Sequence, residues 1–251
     1  MKCSACLCVH NEIEMLPRCL AYLYSVPAVE EVVVVDSGST DGTQDMLMEW
    51  QLGAAWDGLK PLQWQHRPMT GTFGDQRNAC LDMASGEWVL TIDADETYTP
   101  AVGKLLAELP GRPDLNAVRL GTVTLFPDET HYAPDFMFDP HPRIFRNGFA
   151  RFRSRLHDCP VSVDGRELHS AADNDVLLCW ESPPHVDCLL LHAQMLKSDA
   201  ALASKVARWQ ELDLFASSAG DGIQVDPGFW HRRREAFETM RVEPIPERWR
   251  M

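Results

Sequence analysis

Apolar residues in the first half of the chain fall into short unbroken runs separated by polar, helix-patterned stretches. Residues 3–9 read as a strand. In "EEVVVVDSGSTDGT" four consecutive valines precede Asp36, which suits a strand buried on both faces of a parallel sheet. The spacing between them predicts a helix over about Glu14–Tyr24, with Pro17 tolerated in its first turn. The Ser/Gly/Thr/Asp loop after Asp36 leads to a helix near Gln44–Trp50, started by Thr40 or Asp41 as a cap. "LQWQH" (62–66) reads as a third strand, and a helix follows over Asp75–Ala84, stopped by Gly86. Next come a strand ending at Asp93, a helix over Pro100–Leu109 and a strand in "NAVRLGTVTLF" (116–126). Alternating strands and helices predict an α/β fold around a mostly parallel sheet. Beyond Pro127 the pattern loosens into many Pro, His and Arg. The expected division is therefore 1–110 and 111–251, two halves of one compact unit.

In open α/β sheets ligands bind outside the carboxyl ends of the strands. Asn11 and Glu12, Asp36, and Asp93 to Glu96 all fall at such ends, so three polar clusters are expected on one rim. The stretch "GEWVLTIDADET" (86–97) is the most pointed, since Val89, Leu90 and Ile92 run directly into Asp93, Asp95 and Glu96. Ionised carboxylates this close repel one another, at a cost on the order of several kcal/mol if left unpaired beside a buried strand. A cation is expected among them. Mg²⁺ or Mn²⁺ fits, because these hard ions take one or two carboxylates together with phosphate oxygens. No run of lysines nearby in the sequence offers itself instead.

Charge narrows the partners. A net charge of -14 argues against a nucleic-acid backbone, while a carboxylate-held metal could still accept a polyphosphate. No run of about 18 apolar residues predicts a transmembrane segment, and "MKCSACLCVHNE" does not read as a secretory signal. The expectation is a cytoplasmic protein, free or peripheral to a membrane. Cys3, Cys6 and Cys8 form a C-x-x-C-x-C run without a matching second pair. On a strand Cys6 and Cys8 share a face and Cys3 takes the other, so they read as reduced, buried small hydrophobes rather than a zinc site.

"CLCVHNEIEMLPRCL", "VVVVDSGSTDGT" and "QRNACLDMASGEWVLTIDADE", in this order and spacing, resemble the nucleotide half of family 2 glycosyltransferases of the GT-A fold. They are most similar to the branch of lipopolysaccharide-core β-glucosyltransferases and peptide S-glycosyltransferases. Further on, "PRIFRNGFARFRSRLHD" and "LLLHAQM" resemble later segments of that branch. The resemblance implies a Rossmann-like sheet flanked by helices, with a smaller C-terminal acceptor region. It also implies a metal-dependent, inverting transfer of a hexose, glucose foremost, from a UDP-sugar.

By position, the resemblance implies that Cys8, His10, Asn11 and Glu12 line the nucleobase pocket and Asp36 holds the nucleoside end. Arg77 and Asn78 would face the donor, and Asp93 and Asp95 would be the D-x-D pair. Asp95 would be the direct ligand of Mn²⁺ or Mg²⁺, with Asp93 and His192 completing the metal site. His157-Asp158 would stand where the branch has His-Glu, making Asp158 the catalytic base. Ser37 departs from the pattern, since many relatives carry there a second aspartate that contacts uracil. The acceptor stays open among a glycan, a lipid-linked saccharide, a peptide, a small molecule and a modified base.

Two other readings exist. "WVLTIDADET" also fits the start of a haloacid-dehalogenase-type phosphatase, with Asp93 as nucleophile and Asp95 as acid/base, and Gly220-Asp221 with Asp226 imitates that family's later acidic motif. A nucleotide-sugar-binding module without activity is the other. The basic, aromatic tail "FWHRRREAFETMRVEPIPERWRM" reads as an ordinary helix with i,i+3 and i,i+4 pairs, or else as a lid, membrane contact or acceptor grip.

Overall fold

The computed structural model describes residues 3–57, 59–153, 159–168, 174–179, 185–193, 196–211 and 239–250. The first strands are β1 (Cys3–Val9), β2 (Val29–Asp36), β3 (Leu62–His66) and β4 (Trp88–Thr91). They lie parallel in the order β3-β2-β1-β4. Alternation along each strand explains why their apolar runs are unbroken. Cys3, Ala5, Leu7 and Val9 of β1 enter one core, with Val32 and Val34 of β2 and Trp88 and Leu90 of β4. Cys6, Val33, Val35 and Val89 face the other way into a second core. Both faces are covered, as a parallel sheet requires.

Helices supply the covers. α1 (Leu16–Ser25) buries Leu16, Cys19, Leu20 and Leu23, an i, i+3, i+4, i+7 stripe. It starts later than the sequence pattern suggests, because a turn on the Glu12 carbonyl comes first and Pro17 sits in the opening helical turn. α2 (Thr43–Asp57) runs past the predicted end through Gly53, a position with open space beside it. α3 (Phe73–Met83) begins at a capping box: Thr72 Oγ1 accepts from Asp75 N–H at 3.1 Å and Asp75 Oδ2 accepts from Thr72 N–H at 2.8 Å. α4 (Pro100–Glu108) follows the short strand β5 (Glu96–Tyr98).

The irregular second half builds the rest of the same sheet. β6 (Ala117–Leu125) pairs with β7 (His131–Arg146), a 16-residue strand that inserts antiparallel between β4 and β6. The sequence hides β7 because Pro134, Pro140 and Pro142 interrupt it, and proline demotes a strand reading. The β6–β7 register accordingly shifts at three places. β8 (Ala150–Phe152) and β9 (Pro160–Ser162) form a separate ribbon, and β10 (Val176–Leu178) adds to β6. β11 (Leu189–His192) lies between β6 and β5 and is followed by α5 (Asp199–Glu211).

The described end of the tail corrects the helix reading. β12 (Glu243–Pro244) pairs with β7, and Trp249 is buried with its indole N–H donating to Asp187 Oδ1 at 2.7 Å. Arg248 Nε adds 2.9 Å contacts to both Asp187 oxygens. This segment is a strap on the sheet. Among the described residues no helix is long and apolar enough to cross a membrane.

Candidate functional site

Strand order decides where a ligand can enter. β2 and β3 lie on one side of β1, while β4 lies on the other, so the order reverses between β1 and β4. A crevice opens at such a reversal, beyond the carboxyl ends. Asn11 and Glu12 follow β1 there, and Asp93 to Glu96 follow β4.

The β1 side is shaped by Asn11, whose φ of 54° places it in the left-handed region that asparagine tolerates better than most residues. Its N–H donates to Ser39 Oγ at 2.8 Å, and its Oδ1 accepts from Thr40 N–H at 2.8 Å. Its Nδ2 reaches Ser204 Oγ on α5 at 3.3 Å. The half-buried His10 beside it is held below the ordinary histidine range by burial and by Arg208. Cys8, expected at the nucleobase pocket, has its sulfur 3.5 Å from that of Cys80 on α3.

Two residues expected at the donor also brace the site. Asp36 is fully buried, and its carboxylate accepts from Gly38 N–H at 3.0 Å, Ser39 N–H at 3.1 Å and Gln44 Nε2 at 2.8 Å, with His66 Nδ1 3.2 Å away. It organises the Gly38–Gln44 loop. Asn78 bonds the Phe152 backbone twice, donating to O at 2.8 Å and accepting from N–H at 2.9 Å, and so straps β8 to α3.

The D-x-D carboxylates are where the protein answers its own charge. Arg77 Nη2 lies 2.9 Å from Asp93 Oδ1, and Arg143 of β7 lies 4.0 Å from Asp93 Oδ2. Arg143 Nη2 also meets Glu96 Oε1 at 2.7 Å, while Glu96 Oε2 accepts from Asp93 N–H at 2.8 Å. Burial pushes Asp93 up, but the two guanidinium groups outweigh it and hold the carboxyl below its usual range. Glu96 is raised, since burial dominates over Arg143. The sequence offers no run of lysines nearby, and the partners of these groups come from other elements, α3 and β7.

Asp95 has a different set of neighbours. Pairing of β11 with β5 aligns His192 with Glu96, and this brings His192 Nε2 to 3.6 Å from Asp95 Oδ2. Lys197 Nζ approaches the same oxygen at 3.1 Å and bonds Glu12 Oε1 at 2.6 Å. Burial would raise Asp95, yet Lys197 and then His192 hold it well below the usual range. Glu12 is raised by burial against the pull of Lys197. Lys205, on α5, is lowered by burial and by the Lys197 charge. Despite these cations, Asp95 Oδ2 takes no well-aligned hydrogen bond among the described residues.

The structure thus brings Glu12, Asp93, Asp95 and His192 together with Arg77. It adds Arg143, Lys197 and Lys205, which the sequence reading missed. After "LLLH", Lys197 precedes α5, and Lys205 and Arg208 lie three residues apart on it, a spacing that puts both on one side of the helix. His157, Asp158, Gly220, Asp221 and Asp226 lie outside the described residues.

Residues 4–166 match the family model described as glycosyl transferase family 2. A TPR repeat-containing protein of Synechococcus elongatus is 32% identical over 181 residues, covering 72% of this chain and 40% of its own length. The lipopolysaccharide core biosynthesis glycosyltransferase LpsC of Rhizobium meliloti is 35% identical over 111 residues, 44% of this chain and 38% of its own. The solved mannosyltransferase PcManGT from Pyrobaculum calidifontis, in complex with GDP-Man and Mn²⁺, aligns with 94% of this chain and 69% of its own at 20% identity and a TM-score of 0.49. The chain spans about 40% of the length of these two curated relatives.

Proposed function

The chain belongs to glycosyl transferase family 2, and from that premise we propose that it moves a hexose, glucose foremost, from a UDP-sugar to an acceptor with inversion at the anomeric carbon. The observation that carries this reading is the meeting of Asp95 and His192 at the β1/β4 crevice, flanked by the guanidinium of Arg77.

The donor set there suits a hard divalent ion. One carboxylate oxygen and one imidazole nitrogen lie 3.6 Å apart, and the oxygen lacks a well-aligned hydrogen bond among the described residues. Among the described residues no three His, Cys, Asp or Glu side chains gather around one point. Asp95 and His192 would therefore hold Mn²⁺ or Mg²⁺ together with diphosphate oxygens and water, the habit of these ions in phosphate sites. Bound there, the ion supplies Lewis-acid stabilisation of the charge that develops on the leaving diphosphate.

The protein groups have separate tasks. Arg77 and Arg143 keep Asp93 ionised and in place, and the remaining N–H groups of Arg77 would face the diphosphate. The Asn11–Thr40 and Asn11–Ser39 bonds shape the loop against which a nucleoside would lie. The acceptor attacks the sugar face opposite the diphosphate, and its proton goes to a carboxylate within about 3 Å. We assign that carboxylate to Asp158. The acceptor belongs to the classes named from sequence: glycan, lipid-linked saccharide, peptide, small molecule or modified base.

The test is release of nucleoside diphosphate from a panel of nucleotide-sugars with Mn²⁺, across acceptors of each class, with the product's anomeric configuration read by NMR. UDP-glucose consumed with inversion is the expected result. A donor that binds without turnover under every acceptor class, or phosphate released from a monoester, would overturn the reading.

A further inference from the structure

Lys197 stands beside Asp95, where the ion that accompanies the leaving diphosphate would meet the protein. It comes from the short connection between β11 and α5, is 4% exposed, and bridges two acids that follow different strands, Glu12 after β1 and Asp95 after β4. Its ammonium bonds Glu12 Oε1 at 2.6 Å and reaches Asp95 Oδ2 at 3.1 Å. That second oxygen is the one His192 Nε2 approaches at 3.6 Å. Asp95 is also clamped through its carbonyl, which accepts from Ala193 N–H at 2.8 Å, so the carboxylate has little freedom to move away. α5 is docked on the same loop by Ser198 Oγ donating to Glu14 Oε1 at 2.7 Å, which fixes the position from which Lys197 reaches inward.

We infer that Lys197 is a built-in counter-cation that competes with the divalent ion for Asp95 Oδ2, so that the ion enters only by displacing the ammonium. Two cations on one buried oxygen repel strongly where water cannot screen them. The arrangement offsets part of the charge of Asp95 and Glu12 while the site is empty of donor and weakens adventitious metal binding. It makes donor and metal arrive together, because the diphosphate adds the negative charge that shifts the balance. The inference rests on the reading of Asp95 as a metal ligand.

Direct titration of Mn²⁺ without nucleotide, followed by electron paramagnetic resonance of the free ion, tests it. Lys197→Met is expected to tighten Mn²⁺ binding by at least about tenfold over the wild type, as removal of an adjacent like charge requires. Adding Asp95→Ala to that variant should abolish the gain. Lys197→Met leaves Glu12 without its partner, so the same comparison is made between Glu12→Gln and Glu12→Gln/Lys197→Met, where the local charge is balanced; the double variant should bind more tightly. Unchanged or weaker Mn²⁺ binding on removal of Lys197, with binding still dependent on Asp95, would overturn the competition and leave the metal site standing. Mn²⁺ binding independent of Asp95 in every variant would overturn the inference together with the ligand assignment.

Discussion

Asp93 and Asp95 sit two residues apart on one loop yet answer to different partners. Arg77 and Arg143 hold the first, Lys197 and His192 the second. The clustering that looks costly in the sequence is tolerated because three elements remote from the loop deliver positive charge to it. Strand-end acids were legible, since an apolar run ending in carboxylates announces them. Two of their partners were not, because Arg143 lies on a proline-interrupted strand and Lys197 beyond β11, where no local pattern points back to Asp95. Asp36 was visible as a strand-end acid while its task was not, because that depends on backbone N–H groups that the loop turns toward it. Gly38, at φ 100°, makes that turn. Asp36→Asn replaces one acceptor oxygen by a donor facing these groups and is expected to cost about 1–3 kcal/mol in urea unfolding. A loss smaller than about 0.5 kcal/mol would contradict the bracing role.

At the scale of elements, local chemistry set most boundaries and long-range pairing set the rest. α3 starts where Thr72 and Asp75 exchange bonds, two residues before the sequence pattern places it. β7 and β5 escape sequence reading for opposite reasons: one carries prolines, the other is three residues long and exists through its pairing with β11. The β6–β10 junction shows how such pairing is secured. Asp175 accepts from Arg166 at 2.7 and 2.9 Å and from Asn116 Nδ2 at 2.9 Å, tying the starts of the two strands together. Chiefly through Arg166, its carboxyl is held down at about 2. A depressed acid contributes stability above its ordinary range, and that contribution fades as pH falls toward 2. Asp175→Asn should therefore lower stability by about 1 kcal/mol near pH 7, the bond being partly solvent-screened. The difference from the wild type should vanish in unfolding curves near pH 2. A gap of equal size at both pH values would show that the charge is irrelevant.

At the scale of the whole molecule, the sheet joins the regular first half and the irregular second half around one rim. β1, β2 and β4 bring Asn11, Asp36 and Asp93, while β7, β11 and α5 bring Arg143, His192 and the lysines. The same rim disfavours the phosphatase reading, in which Asp93 must be free to attack phosphorus; here it is held by two guanidinium groups, on a loop that lies inside the family match. The net charge of -14 coexists with this basic cluster because the cations are drawn inward onto the site's own acids. A donor diphosphate would take over those cations, and a divalent ion would restore the balance at Asp95. Calorimetric titration of UDP into the protein with and without Mn²⁺, for the wild type and Asp95→Ala, tests this claim most directly. The account predicts that Mn²⁺ tightens UDP binding at least about tenfold, a coupling of about 1.4 kcal/mol, and that Asp95→Ala removes the coupling. UDP binding of equal strength with and without Mn²⁺, unchanged in Asp95→Ala, would contradict it.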